Sequence, residues 1–339
     1  MSALENNIIP WYEAVKRDFP WRHTKHPYYI WVCEVMSQQT QLSRVVGYYE
    51  RFLRIFPSVA DLAAADEDKL LKAWEGLGYY SRVRNMQSAA RQIMVEFDGE
   101  FPSTYETLLK LKGIGTYTAA AIASIAFDEP VAAVDGNVLR VYTRLKLIED
   151  DILAQKTKNN IKGLLEQDMT RRNPSSFNQG LIELGATVCL PQNPLCLSCP
   201  LQQMCGALAH KRTHMYPVKK KKAKQVEEQY YTFILMYGDK LYLRKQTKAG
   251  LLRGLYALPQ YENNDNLDEV LNTLSEDTGC HISREVVSFK GQYKHIFSHK
   301  IWLMDVYVAH VTEVDTDSHF HDEERVALAN AHRNVLSAS

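Results

Sequence analysis

Residues 111–138 read LKGIGTYTAAAIASIAFDEPVAAVDGNV: a glycine turn, an alanine-rich apolar run and an aspartate set before a glycine. Gly113 and Gly115 permit a tight turn and a close backbone approach, leaving N–H groups at the start of the next helix free to face an anion. The run from Tyr117 to Ala126 has the composition of a helix buried on most of its faces. Asp135 follows inside Ala133-Val134-Asp135-Gly136-Asn137-Val138, a largely apolar setting that also suits a helix cap. A second carboxylate, Glu34, lies in the apolar stretch Trp31-Val32-Cys33-Glu34-Val35-Met36, followed by Ser37-Gln38-Gln39-Thr40. Burial penalises an ionised carboxylate by several kcal/mol unless it is paired, so such groups find partners or acquire raised pKa values useful for proton transfer.

Around this stretch the first 215 residues carry helical periodicity, with Pro and Gly between segments, and an all-helical region is expected there. Residues 216–229, with Lys219 to Lys222 in an almost apolar-free block, read as a linker. From residue 230 to 339 the texture changes to short aromatic and branched runs, Tyr230–Tyr237, Lys240–Leu243 and Ile301–Val308, with one helical segment at 267–278. This predicts an α+β second domain. At 339 residues the chain is long enough for two cores. The net charge of zero divides unevenly: residues 1–225 hold 29 basic and 23 acidic residues, whereas residues 226–339 hold 11 and 17. A polyanion would therefore prefer the first part. The charge-free stretch 113–127 is too short to span a membrane, and the first residues lack the pattern of a secretory signal. A cytoplasmic location with no membrane crossing is expected.

Four of the six cysteines, Cys189, Cys196, Cys199 and Cys205, fall in a C-x₆-C-x₂-C-x₅-C cluster with Pro191, Pro194 and Pro200 between them. In a chain without an export signal, such a cluster points to a metal site rather than to disulfides. Spacing leaves zinc and an iron–sulfur cluster both open. Cys33 and Cys280 stand alone and read as small buried residues.

Taken together, these residues resemble the MutY adenine DNA glycosylases of the helix-hairpin-helix superfamily. The resemblance rests on Pro20-Trp21-Arg22, Glu34-Val35-Met36 with Gln38-Gln39-Thr40, Gly76-Leu77-Gly78-Tyr79-Tyr80-Ser81-Arg82, the hairpin Leu111–Tyr117, Val134–Val138 and the cysteine spacing. It implies an N-terminal all-α helix-hairpin-helix glycosylase with an iron–sulfur loop and a C-terminal α+β Nudix-like domain. It also implies excision of adenine mispaired with 8-oxoguanine or guanine in double-stranded DNA, by base flipping and hydrolysis of the N-glycosidic bond, with no obligate protein partner. On this resemblance Glu34 is the acid that protonates adenine and Asp135 stabilises the sugar cation, with Tyr117 and Asn137 orienting them. Trp21, Arg22 and Gln179 shape the adenine pocket, Gln39 and Tyr79 wedge into the base stack, and Gln38, Thr40 and Leu77 lie near the opposite base. Gly113 and Gly115 hold the DNA backbone, and Phe297, Ser298 and His299 read the oxidised guanine. The four cysteines become ligands of one [4Fe–4S] cluster, flanked by Arg171, Arg172, Lys211 and Arg212.

Several positions depart from this pattern or narrow it. Bifunctional relatives carry a catalytic lysine where this chain has Tyr117, so base removal without efficient strand cleavage is expected. Lys112 stands where the family usually has proline, and Ser37 where it usually has an apolar residue. Gly254-Leu255-Tyr256-Ala257-Leu258-Pro259 resembles a Nudix strand, but the segment after it lacks the Arg-Glu-x-x-Glu-Glu arrangement of the pyrophosphate hydrolases. Recognition rather than hydrolysis is therefore expected of the second domain. Two other readings compete: a bifunctional glycosylase/lyase similar to endonuclease III, and a non-catalytic iron–sulfur DNA-binding protein.

Overall fold

The computed structural model describes residues 2–169, 172–220, 226–248, 250–263, 266–297, 300–312, 314 and 319–337. Contact density separates two compact units, residues 1–64 with 81–221, and residues 65–80 with 222–339.

The first unit is helical and is organised around the helix Thr116–Ala126. Ala119 to Ala123 are wholly withdrawn from water. Side chains this small let the helices Pro27–Met36 and Pro174–Thr187 pack directly against it. A further core forms where Ala3–Val15, Gly136–Lys146, Gln155–Asp168 and Pro174–Thr187 bring together Ile8, Tyr142, Ile161, Phe177 and Leu184. Partly buried Cys189, Cys199 and Cys205 lie against this core.

The two hairpin glycines serve different ends. Gly113 has a φ of 77°, and a Cβ there would stand 2.5 Å from the Cβ of Asn85, so both backbone and space require glycine. Gly115 has an ordinary φ of −91°, and no atom lies within 4 Å of where its Cβ would stand, which leaves an open approach to the start of the helix.

The second unit contains β1 (Val226–Tyr237), β2 (Lys240–Tyr242), β3 (Arg244–Lys245), β4 (Tyr256–Ala257), β5 (Gln260–Glu262), β6 (Val287–Ile296), β7 (Lys300–His310) and β8 (Phe320–His321). The main sheet runs β6-β7-β1-β2-β8, with β5 also on β1, while β3 and β4 pair separately. β1 and β7 are parallel, from Val226 opposite Lys300 to Met236 opposite His310, and the other pairings are antiparallel. Both faces of β1 are covered, which explains its unbroken apolar run. Phe233 and Leu235 join Val270, Leu271 and Leu274 of the helix Leu267–Thr278, whereas Ile234 joins Leu328, Ala331 and Val335 around the helix Asn330–Ser337.

The linker expected over 216–229 is shorter in the structure. Tyr216 is buried and its hydroxyl donates to Glu149 at 3.2 Å, and Val218 O accepts the N–H of Ile152. At the other end β1 starts at Val226, because Glu228 is paired by Lys300 at 2.7 Å and bonded by Trp302 Nε1 at 2.8 Å. Polar strand ends escaped a reading based on apolar content. The segment 65–80, grouped by chain order with the helical region, clusters with the second unit, where Glu75 meets Leu328 N–H and Arg333. No helix among the described residues is long and apolar enough to cross a membrane.

Candidate active site

A cavity of about 700 Å³ in the helical unit is lined by Glu34, Tyr117, Asp135 and Asn137. Helix ends supply all four. Glu34 sits in the last turn of Pro27–Met36, Tyr117 in the first turn of Thr116–Ala126, and Asp135 and Asn137 at the start of Gly136–Lys146. Gln179, from Pro174–Thr187, lines the same space. So do Trp21, Arg22, Gln38, Gln39, Thr40 and the unexpected Ser37.

The Tyr117 hydroxyl donates to Glu34 Oε2 at 2.8 Å. Burial pushes the Glu34 carboxyl up to about 7, against the Tyr117 hydrogen bond, which lowers it, and with the nearby Asp135, which raises it. The carbonyl end of its helix, carrying partial negative charge, works in the same direction as burial. Burial and the two carboxylates also push the Tyr117 phenol well above its usual range, so it stays a donor.

Asp135 is the cap of its helix, with Oδ1 accepting the Val138 N–H at 2.8 Å and Oδ2 accepting Asn137 Nδ2 at 2.8 Å. Its pKa is raised by burial, opposed by those donors and by Arg140. The local cap and a role in chemistry are compatible, since a carboxylate oxygen holding one donor keeps a further lone pair for a second partner. Asn137 is in turn fixed by Arg140 Nη2 at 2.9 Å. Gly185 makes room for it: a Cβ there would stand 2.5 Å from the Asn137 Cβ.

The pocket wall is tied down from behind. Arg22 donates to Glu183 at 2.6 Å and to Arg17 O at 2.6 Å, while Arg17 Nε and Nη2 hold the same carboxylate at 2.7 and 2.9 Å. Burial alone would raise the Glu183 pKa, but the two guanidiniums win and bring it to about 2. Trp21 stacks on Phe19 and meets Tyr49 edge-on. Gln179 accepts from Tyr12 OH and donates to Ser175, each at 3.0 Å. Ser37 turns its hydroxyl back on Cys33 O at 2.6 Å. Gln39 has a φ of 61°, and its turn is pinned by Arg82 Nη1, which donates to Val35 O at 2.7 Å and Gln38 O at 2.8 Å.

Other expected site residues lie in the second unit. Leu77 is buried and Tyr79 is 47% exposed, both in the 65–80 segment. Phe297 packs between His295 and Trp302. Ser298 and His299 lie outside the described residues, as does Arg171.

Cys189, Cys196, Cys199 and Cys205 line a separate small cavity together with Arg144. Arg144 is buried, 3.3 Å from Cys189 Sγ, and donates to Leu190 O, Pro191 O, Thr213 O and Tyr216 O. Arg140 binds Cys189 O and Gly185 O, each at 2.7 Å. These two arginines, four residues apart on one helix face, were not singled out from sequence.

The HhH-GPD superfamily base excision DNA repair protein family matches residues 32–167, and the NUDIX domain matches residues 231–338. The adenine DNA glycosylase of Buchnera aphidicola subsp. Baizongia pistaciae is 33% identical over 302 residues, covering 88% of this chain and 85% of that protein. The chain belongs to the adenine DNA glycosylase family. The adenine DNA glycosylase of Mus musculus is 44% identical over 216 residues, 61% of this chain and 42% of the mouse protein, so the match spans less than half of that longer relative. Among solved structures, a thermostable thymine-DNA glycosylase superposes with a TM-score of 0.54 at 26% identity, covering 60% of this chain and 94% of its own. The fold is that of the family: a helical HhH-GPD part and a Nudix-like α+β part.

Proposed function

We propose that this adenine DNA glycosylase family member removes adenine opposite 8-oxoguanine or guanine in duplex DNA and leaves the strand uncut. One observation carries the reading. Glu34, with a pKa of about 7 and a single phenolic donor, shares a cavity with a differently held carboxylate, Asp135. Cleaving the N-glycosidic bond needs an acid for the departing base and negative charge beside the developing sugar cation. Two carboxylates in unlike environments divide that work.

Base flipping brings adenine into the cavity walled by Trp21, Arg22 and Gln179, at a cost of a few kcal/mol. Glu34, still half protonated near neutral pH, donates to the adenine ring nitrogen N7. Asp135, restrained by Val138 N–H and Asn137, faces the sugar as an ionised carboxylate. After the base leaves, Glu34 as carboxylate takes a proton from the attacking water. Tyr117 cannot form a Schiff base, so no amine in the position after the hairpin drives strand cleavage. The open start of Thr116–Ala126, uncapped by any side chain at Gly115, suits a DNA phosphate. Gln39 and Tyr79 fill the vacated stack, Gln38, Thr40 and Leu77 attend the partner base, and Phe297, Ser298 and His299 read its oxidation.

Cys189, Cys196, Cys199 and Cys205 suit a [4Fe–4S] cluster, one per chain. The donor set is four thiols around one cavity, with the Arg144 guanidinium placed to offset thiolate charge. When bound, the cluster would fix the 189–205 loop and set its basic neighbours Arg172, Lys211 and Arg212 toward phosphates.

The test is single-turnover adenine release from duplexes pairing adenine with 8-oxoguanine, guanine or thymine, with strand breaks read before and after alkali. Release opposite 8-oxoguanine with breaks only after alkali is expected. Breaks without alkali would favour a lyase, and no release from cluster-loaded protein would overturn the enzymatic reading.

A further inference from the structure

The turn Gly76-Leu77-Gly78-Tyr79 has an uncommon backbone. Gly76, Gly78 and Tyr79 have φ values of 90°, 70° and 47°, and the last is costly for a tyrosine. It is braced by contacts within the second unit. Trp74 Nε1 donates to Gly78 O at 3.0 Å. Just ahead of the turn, Glu75 Oε1 accepts both the Leu328 N–H at 3.0 Å and Arg333 Nη2 at 2.5 Å. Its other oxygen takes Lys72 Nζ at 2.8 Å, and the same ammonium donates to Val326 O at 3.1 Å. The Glu75 side chain is only 13% exposed, and Asn330 Nδ2 stands 3.5 Å from where a Cβ on Gly78 would be.

The helix Asn330–Ser337, which supplies Arg333 and Asn330 to these contacts, also touches the strand pair. His332, beside Arg333, is fully buried, accepts the Leu258 N–H on Nδ1 at 3.1 Å and stacks on Trp302 of β7. Trp302 packs edge-on against Phe297, which follows β6. Lys290 of β6 donates to Val335 O at 3.0 Å. One short helix thus joins the turn bearing Leu77 and Tyr79 to the connection that begins at Phe297.

We propose that Glu75 and Arg333 are specificity-determining positioning residues. Their ion pair fixes the 76–79 turn against the helix that also supports Phe297, so the two parts of the opposite-base reader act as one body. The inference rests on the adenine-excision reading and goes beyond it by assigning discrimination at the partner base to a pair that touches no DNA base. Loss of the pair frees the turn, and the energy difference between an oxidised and an ordinary guanine is then felt less at the cleavage step.

The test uses full-length, cluster-loaded protein. Glu75→Gln keeps an acceptor for the Leu328 N–H but removes the ion pair; Arg333→Met removes it from the other side, and Arg333→Lys keeps the charge. Single-turnover excision is measured opposite 8-oxoguanine and opposite guanine, with hydrogen exchange of the amides in 75–80 read in parallel. Glu75→Gln and Arg333→Met are expected to lower the 8-oxoguanine to guanine rate ratio about fivefold and to speed exchange in the turn, while Arg333→Lys restores both. A merely structural role would slow both substrates together. An unchanged ratio in Glu75→Gln and Arg333→Met, or unchanged exchange in the turn, overturns the inference. Absence of adenine release by the unsubstituted protein overturns the functional reading and the specificity claim with it, and the exchange data then show separately whether the clasp exists.

Discussion

Glu34 and Glu183 belong to the same pocket region, and both are carboxylates drawn away from water. Glu183 is gripped by Arg17 and Arg22 and brought down to about 2, while Glu34 is met by one phenol and pushed up to about 7. Burial acts upward on both. The charge of the partner decides the outcome, because a guanidinium repays the desolvation of a carboxylate and a neutral hydroxyl does so only in part. The helical unit therefore keeps one fixed anion as a brace and one proton that can be given away.

That contrast is open to direct attack. Glu34→Gln retains a partner for the Tyr117 hydroxyl while removing the transferable proton, and single-turnover adenine release should fall by ~10³-fold or more with the far-ultraviolet circular dichroism unchanged. Glu183→Gln should have its main effect on stability instead, about 3 kcal/mol in denaturant unfolding, because Arg22 is left buried beside a neutral amide. If Glu183→Gln were as silent in unfolding as a surface change, the brace reading would fail. The pH profile sharpens the same comparison. The acid form of Glu34 is lost as pH rises through about 7, so the excision rate should decline on the alkaline side of that value, whereas Glu183 is ionised throughout and adds no limb there. Smallest in effect is Tyr117→Phe. Its hydroxyl lowers the Glu34 pKa, so its removal should move the alkaline limb upward, with a rate change of about tenfold or less near neutral pH.

The sequence made the division into a helical and an α+β part legible, since the 3.6-residue and 2-residue periodicities stand on either side of residues 216–229. It also showed Glu34 and Asp135 as carboxylates in apolar surroundings, and the structure puts them on one cavity with Tyr117 and Asn137. Arg140, Arg144 and Glu183 were not legible, because a charged residue on an amphipathic helix reads as solvent-facing until its partners are brought up from far along the chain. Arg140 meets Cys189 O across 49 residues, and Glu183 meets Arg17 across 166. The 65–80 segment escaped for the same reason. Glu75 finds Arg333 across 258 residues, a pairing that no local pattern encodes.

The missing side chain at Gly185 has a consequence for reading natural variation. Its backbone is ordinary helix, so by propensity Gly185→Ala looks harmless and even helpful. Yet the added methyl would meet the Asn137 Cβ at 2.5 Å, an atom fixed to the backbone with no rotamer to escape through. A change of one carbon would thus push on the residue that bonds Asp135, and a scan that ranks substitutions by size or hydrophobicity would score it as benign.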